Sequence, residues 1–266
     1  MKRICLIGSG NVAEAFAVAL GGLHPAGRFR LGQIYARNRA RGAKLARMAG
    51  CDHTDDPAQL VPADIYLISV SDTQIGAVAE NLDFGNAIVA HTAGSVSLNV
   101  LPDRLSHRGV FYPLQTFTAG RRIDFRQVPL LIEGEHPDTA AALRLLASGL
   151  SDSVYEVSEQ QRAQLHLAAV FACNFTNHMY AIAQELLAEK GLPPQLIGPL
   201  ISETAAKALG SPSAAAVQTG PARRGDRQTQ QKHLGLLEGH PQLQELYQKI
   251  STEIWETSKK RSRAYA

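Results

Sequence analysis

Through residue 157, short runs of apolar and β-branched side chains alternate with stretches whose apolar residues recur at helical spacing. The runs span 3–7, 31–36, 64–70, 87–91, 109–112, 129–133 and 153–157, and the helical stretches between them include 12–20, 40–49 and 139–147. Several runs, such as Ile4-Cys5-Leu6-Ile7, are continuously apolar, as strands covered on both faces require. This alternation predicts an α/β fold, a mostly parallel sheet with helices on both faces. Beyond residue 157 the strand signals stop. Ser158 and Gln161 form a capping box ahead of a long helix in which Leu165, Ala169, Ala172, Met179, Ile182 and Leu186 share a spacing. Gly191 ends that helix; Pro193 and Pro194 open another, carrying Leu196, Leu200, Ile201 and Ala205, and Gly210 closes it. Residues 211–226, rich in Gly, Pro and Arg, are expected to be irregular, with further helices near 229–237 and 243–259. The pattern therefore predicts two domains, an α/β domain over 1–155 and an all-α helical domain over 156–266.

The first strand runs into Gly8-Ser9-Gly10-Asn11-Val12-Ala13 and then an amphipathic helix. In this strand–turn–helix context Gly8 permits the tight turn, Gly10 lets backbone approach a pyrophosphate, and Ala13 is small enough for close helix-to-strand packing. The helix start then presents free N–H groups and a positive dipole end to an anion. At the end of the second strand, where an acidic residue would bind a ribose 2′-hydroxyl, Arg37-Asn38-Arg39 stands instead, and no acidic residue occurs between Glu14 and Asp52. A guanidinium forks onto a 2′-phosphate, so NADP is the expected cofactor, with Arg37 as its first partner and Arg39 or Arg41 as further ones. Other turns at strand C-termini should line the same crevice: Ser69-Val70-Ser71-Asp72, His91-Thr92-Ala93-Gly94-Ser95 and Tyr112-Pro113-Leu114-Gln115-Thr116. Ala93 and Gly94 are small enough for a nicotinamide ring to lie against backbone. Ordinary turn chemistry, with Asp72 and Ser95 as caps, is the competing account.

His166, Val170, Asn174 and His178 follow at intervals of four on the long helix. Each step advances about 6 Å and drifts the face by roughly 40°, so Asn174 and His178 are neighbours while His166 lies about 12 Å from Asn174. Asn174, between Phe171 and Phe175, either orients a substrate or makes a structural hydrogen bond to the sheet domain. His166 and His91 are the candidate proton donors, since histidine titrates near neutrality, and His178 is a candidate substrate contact. Arg224 could clamp a substrate carboxylate, or pair with Asp226 to fix its loop. The histidines show no tight metal-ligand spacing, so no metal is expected. No GxSxG elbow and no GxxxxGK[ST] loop occurs.

The fingerprint, the His91-Thr92-Ala93-Gly94-Ser95 turn, the segment FYPLQTF and the helical second half resemble the β-hydroxyacid dehydrogenase and pyrroline-5-carboxylate reductase superfamily. The stretches LHLAAVFACNFTNH, PLISETAAKAL and GPARRGD resemble one bacterial branch of it, whose members pair a Rossmann-like domain with a helical domain of unknown function and are described as NADP oxidoreductases. The resemblance implies an NADP(H)-dependent oxidoreductase of a small ketone or imine, and a homodimer with intertwined helical domains. In the wider superfamily a Lys-xxx-Asn pair on the first long helix of the second domain protonates and orients a carbonyl; aligned on Asn174, this chain has Val170 at the Lys position. That departure motivates two alternatives, a non-catalytic NADP-binding regulatory or scaffold protein, and a reductase of another cofactor such as a deazaflavin.

Composition narrows the picture further. Hydrophobic residues make up 45% and charged residues 19%, an ordinary globular balance. The net charge of +3 is too small to predict nucleic-acid binding; the densest basic run, Lys259, Lys260, Arg261 and Arg263, suits a solvated helix C-terminus. Three cysteines at distant positions fit a reduced, cytoplasmic protein. The apolar run after Lys2 and Arg3 is shorter than a signal-peptide core, and no window is long enough to predict a membrane span.

Overall fold

The computed structural model of the protein describes residues 1–24 and 26–264, the side chains of 261–264 excepted, so the Arg261 and Arg263 side chains of the basic run lie outside the described residues. The chain divides into two compact units, Met1–Thr176 and Asn177–Ala266.

In the first unit the strands are β1 (Lys2–Ile7), β2 (Phe29–Tyr35), β3 (Asp52–Thr54), β4 (Ile65–Ile68), β5 (Ile88–His91), β6 (Arg108–Pro113), β7 (Leu130–Gly134) and β8 (Val154–Glu156). They form one eight-stranded sheet in the order β3-β2-β1-β4-β5-β6-β7-β8, parallel throughout except for the antiparallel β6–β7 pair. The chain steps outward from β1 to β3 and then returns to the other side of β1 with β4. The crevice outside the carboxyl ends of β1 and β4 is therefore a topological switch point, where open α/β sheets bind ligands.

Alternation along β1 feeds two cores. Ile4 and Leu6 join Phe16, Leu20, Leu45 and Leu143 under the helices α1 (Asn11–Gly21), α2 (Arg39–Ala49) and α4 (Pro137–Leu150). Cys5 and Ile7 join Ile75 and Ala79 of α3 (Ile75–Asn81) on the opposite face. Helices thus cover both faces, the mostly parallel architecture the periodicity predicts. Two elements carry no clear sequence signal. β3 is Asp52-His53-Thr54, too short and polar for an apolar run, and it forms by pairing Gln33 with Asp52 and Tyr35 with Thr54 at the sheet edge. α3 has seven residues, fewer than periodicity resolves.

The unit ends with α5 (Glu159–Ala169) and a π-helical turn, Val170–Phe175. Ser158 and Gln161 make the expected capping box, with Oγ of Ser158 accepting from the Gln161 N–H at 3.3 Å and Oε1 of Gln161 accepting from the Ser158 N–H at 2.9 Å. The loss of strand signal suggests a seam at 155/156; the compact units divide instead between Thr176 and Asn177, and α5 stays with the sheet.

The second unit is helical, with α6 (Thr176–Ala188, beginning one residue before it), α7 (Gly198–Leu209), the short α8 (Pro221–Arg224), α9 (Arg227–Leu236) and α10 (Pro241–Ala264). Gly191 takes φ +68° just beyond α6, the left-handed stop its position suggests. Nδ1 of His233 on α9 and the Tyr247 hydroxyl on α10 lie 2.8 Å apart. This unit has little core of its own: among its described residues only Ala222, Leu237 and Ser251 are buried. No helix among the described residues is long and apolar enough to cross a membrane.

Candidate functional site

A cleft of about 1280 Å³ opens at the switch point, lined entirely by residues of the first unit. Its floor is the glycine turn. Gly8 takes φ +124°, and a Cβ there would lie 2.1 Å from the Ser69 carbonyl oxygen, so close approach of β1 and β4 requires glycine. Gly10 has ordinary backbone angles, and a Cβ built on it meets nothing within 4 Å. The fold does not need a glycine at position 10; a ligand approaching this backbone would. No side chain caps the start of α1, whose first N–H groups are left free to meet an anion. The Ser69 hydroxyl, buried at the cleft, has no hydrogen-bond partner among the described residues.

At the end of β2 the basic residues separate in role. Arg41 donates to Oδ1 of Asn11 at 2.9 Å and lies 3.7 Å from Glu14, and the Asn11 amide donates to the Phe117 carbonyl. Asn38 caps α2, accepting from the Arg41 N–H. Arg41 is therefore committed inside the protein. Arg37 lines the cleft, is exposed, and makes no hydrogen bond or ion pair among the described residues. Arg39 is exposed but is not part of the lining.

The turn after β5 is pinned from below. Arg162 of α5, 1% exposed, donates to the carbonyls of Gly94 (3.1 Å) and Val96 (2.7 Å) and to Oε2 of Glu133 (2.9 Å). Ser95 donates to Asp72 at 3.0 Å, tying this turn to the one after β4. Thr92, Ala93 and Gly94 line the cleft on this scaffold, as do Ser69, Val70 and Ser71. His91 does not. Its ring is wholly buried behind the turn, and Nδ1 accepts from the Ala93 N–H. Burial first, and the Arg162 charge second, lower its pKa to about 4, so it is neutral at physiological pH and sits outside the cleft where its strand-end position suggests a donor. Pro113, buried in β6, is likewise not a lining residue.

Helix α5 and the π turn supply the opposite wall: Leu165, His166, Ala168, Ala169, Val170, Ala172, Cys173 and Asn174. The π turn corrects the drift expected for an uninterrupted α-helix. Its wider i→i+5 turn returns Asn174 toward the face that carries His166 and Val170, so all three line the cleft. The Asn174 side chain makes no hydrogen bond among the described residues, leaving its amide for a ligand. Nδ1 of His166 lies 3.1 Å from the hydroxyl of Tyr112, a residue that sequence reasoning places only in a lining turn. Of the remaining candidates, which belong to the second unit, His178 and Arg224 are exposed. Asp226 caps α9 through both the N–H and the hydroxyl of Thr229, which hold its carboxyl below its usual range. Among the described residues no cluster of three or more His, Cys, Asp or Glu is placed to hold a metal ion.

A sequence family described as a domain of unknown function, DUF2520, matches residues 128–254. The crystal structure of a "putative NADP oxidoreductase" from Bacteroides fragilis is 41% identical, with 96% of this chain and 98% of that chain covered and a TM-score of 0.85. The chain belongs to the Rossmann-like NADP oxidoreductase family. More distant structures share the fold. A pyrroline-5-carboxylate reductase from Streptococcus pyogenes is 14% identical over 97% of this chain and 98% of its own, with TM-score 0.63. An imine reductase from Myxococcus stipitatus, solved with NADP+, is 16% identical over 98% and 94%, with TM-score 0.60. No curated protein matches the chain. Within the family's architecture the Gly8 turn, Arg37 and the α5–π wall face one cleft.

Proposed function

We propose that the protein is an NADP(H)-dependent oxidoreductase acting on the C=N or C=O bond of a small substrate. One observation carries this reading: a single cleft joins an unpaired guanidinium, Arg37, and an open glycine turn, Gly10, to a second end bearing Tyr112, His166 and the free Asn174 amide. The residues present fit the cofactor. Gly8, Ser9, Gly10, Asn11 and Val12 would hold its pyrophosphate at the start of α1, the buried Ser69 hydroxyl would gain a partner, and Arg37, with Asn38 beside it, would take the 2′-phosphate. When bound, the nicotinamide supplies the hydride. The chain's own part is to orient the substrate through Asn174, to exclude water with Leu165, Ala168, Ala169 and Val170, and to provide a proton.

Arg37→Ala is expected to weaken NADPH binding about tenfold to a hundredfold, the worth of a charge-assisted phosphate contact, and to leave NADH binding unchanged. Calorimetric titration with both cofactors checks this. Equal losses for the two would remove Arg37 from the 2′-phosphate, and no binding of either would end the oxidoreductase reading.

The helical unit is proposed to pair with a second copy. α6, α7 and α9 bury no residue in the single chain, and Leu200, Leu209 and Leu236 are 65%, 87% and 76% exposed. Apolar surface of that extent marks an interface. Light scattering on the eluted chain is expected to give twice the 28.7 kDa chain mass; a stable monomer at micromolar concentration would overturn the pairing.

A further inference from the structure

Tyr112 stands at the carboxyl end of β6 between two buried neighbours, Phe111 and Pro113, and its half-buried ring reaches the cleft. Its hydroxyl oxygen lies 3.1 Å from Nδ1 of His166, with the rings edge-on at 63°. A Cβ on Gly94 would fall 2.6 Å from Cζ of Tyr112 and 2.7 Å from Nδ1 of His166. The pair is thus packed directly on the turn backbone that the small residues Ala93 and Gly94 leave open to the cleft. Of the other lining residues, Asp72 is engaged by Ser95, Arg37 stands at the turn after β2, and Val170 has no proton to give.

Resting on the reductase reading above, we infer that Tyr112 protonates the reacting heteroatom of the substrate and that His166 replaces that proton across the Tyr112–His166 hydrogen bond. A phenol has one O–H and two lone pairs, so Oη can accept from Nδ1–H while its own hydrogen points into the cleft. In the reducing direction the hydride adds to the carbon of C=N or C=O, and the π pair moves to the heteroatom. That atom takes the hydroxyl proton of Tyr112 as the O–H bond breaks. Oη then takes the Nδ1 proton of the His166 imidazolium, which solvent later restores. The two electrons the substrate gains are those of the hydride that a bound NADPH would supply. Burial and two charged groups bear on Tyr112: burial raises its pKa, Asp72 raises it further, and Arg162, itself paired with Glu133, opposes them, so the phenol is protonated near neutrality. Because the relay begins from protonated His166, it favours reduction at lower pH and the reverse oxidation at higher pH.

The test uses the full-length protein in two arms. In protein labelled with 15N-histidine, Tyr112→Phe is expected to shift the Nδ1 resonance of His166 and leave the other histidines in place; an unmoved His166 would overturn the relay. In the second arm NADPH consumption is followed with 2-methyl-1-pyrroline and with a panel of small ketones across pH. Tyr112→Phe should lose about a hundredfold or more in kcat with NADPH affinity kept, and His166→Gln should lose the alkaline fall of the pH profile while retaining part of the rate. If Tyr112→Phe turns over like the native chain, the donor assignment fails and the reductase reading stands. A native protein that binds NADPH but is silent on the whole panel sinks both. Thermal unfolding of each variant separates lost chemistry from lost fold.

Discussion

Replacing Arg162 by Met is expected to lower the unfolding free energy by about 3–5 kcal/mol, because it removes one partner of a buried charged network and leaves the other unpaired. In the native chain that one guanidinium satisfies the Gly94 and Val96 carbonyls and the Glu133 carboxylate at the junction of α5, the turn after β5, and β7. Methionine fills much of the volume but donates nothing, so two carbonyls and a carboxylate 21% exposed lose their donor together. For a chain of this size the loss corresponds to a fall in Tm on the order of 10 °C. Denaturant unfolding of Arg162→Met beside Arg162→Met/Glu133→Gln is the informative measurement, since neutralising Glu133 should recover part of the loss. A single-variant loss below about 1 kcal/mol would show that the network does not hold the turn. The functional corollary is weaker cofactor binding in whatever fraction remains folded, since Thr92, Ala93 and Gly94 then line a loosened turn.

The second large effect is a contrast between two glycines two residues apart. Gly8→Ala places a methyl 2.1 Å from the Ser69 oxygen and forces an L-residue to φ +124°. Backbone strain and overpacking together cost roughly 3–5 kcal/mol, and the carbonyl cannot retreat without breaking the β1–β4 register of Ile7 on Ile68. Gly10→Ala meets nothing in the protein, so its stability should match the native chain within about 0.5 kcal/mol. Its NADPH affinity should nevertheless fall about tenfold to a hundredfold, because the methyl occupies the space through which a pyrophosphate meets the backbone. Thermal unfolding and titration calorimetry on both variants decide the matter. Undiminished affinity in Gly10→Ala would mean that the turn does not hold a dinucleotide.

These two glycines also mark how far local sequence carries. The GxGxxA spacing, the continuous apolar run before it and the missing acidic residue after β2 are readable because each concerns a few consecutive residues in a strand–turn–helix frame. The capping box at Ser158 and the stop at Gly191 are legible for the same reason. Sequence puts Arg37 ahead of Arg41 but cannot show that Arg41 is committed elsewhere. The distinction depends on Asn11 and Glu14, some thirty residues earlier, which engage Arg41 and leave Arg37 free. Nor could it separate His91 from His166: both are histidines beside expected lining segments, yet one is buried and neutral behind its turn while the other meets a tyrosine 54 residues away.

From its sequence alone this protein declares a mostly parallel α/β fold, a helical second half and a glycine turn of GxGxxA spacing between the first strand and the first helix, since periodicity, caps and glycine spacing act over one or two turns of backbone. The tertiary structure alone decides that Arg162 fastens α5 to the sheet unit, that a π turn keeps Asn174 on the cleft face with His166, and that Tyr112 lies against that histidine. Each of these arises from packing between segments distant along the chain, where position is set by which surfaces bury one another, and burial also determines which polar groups remain available to a ligand.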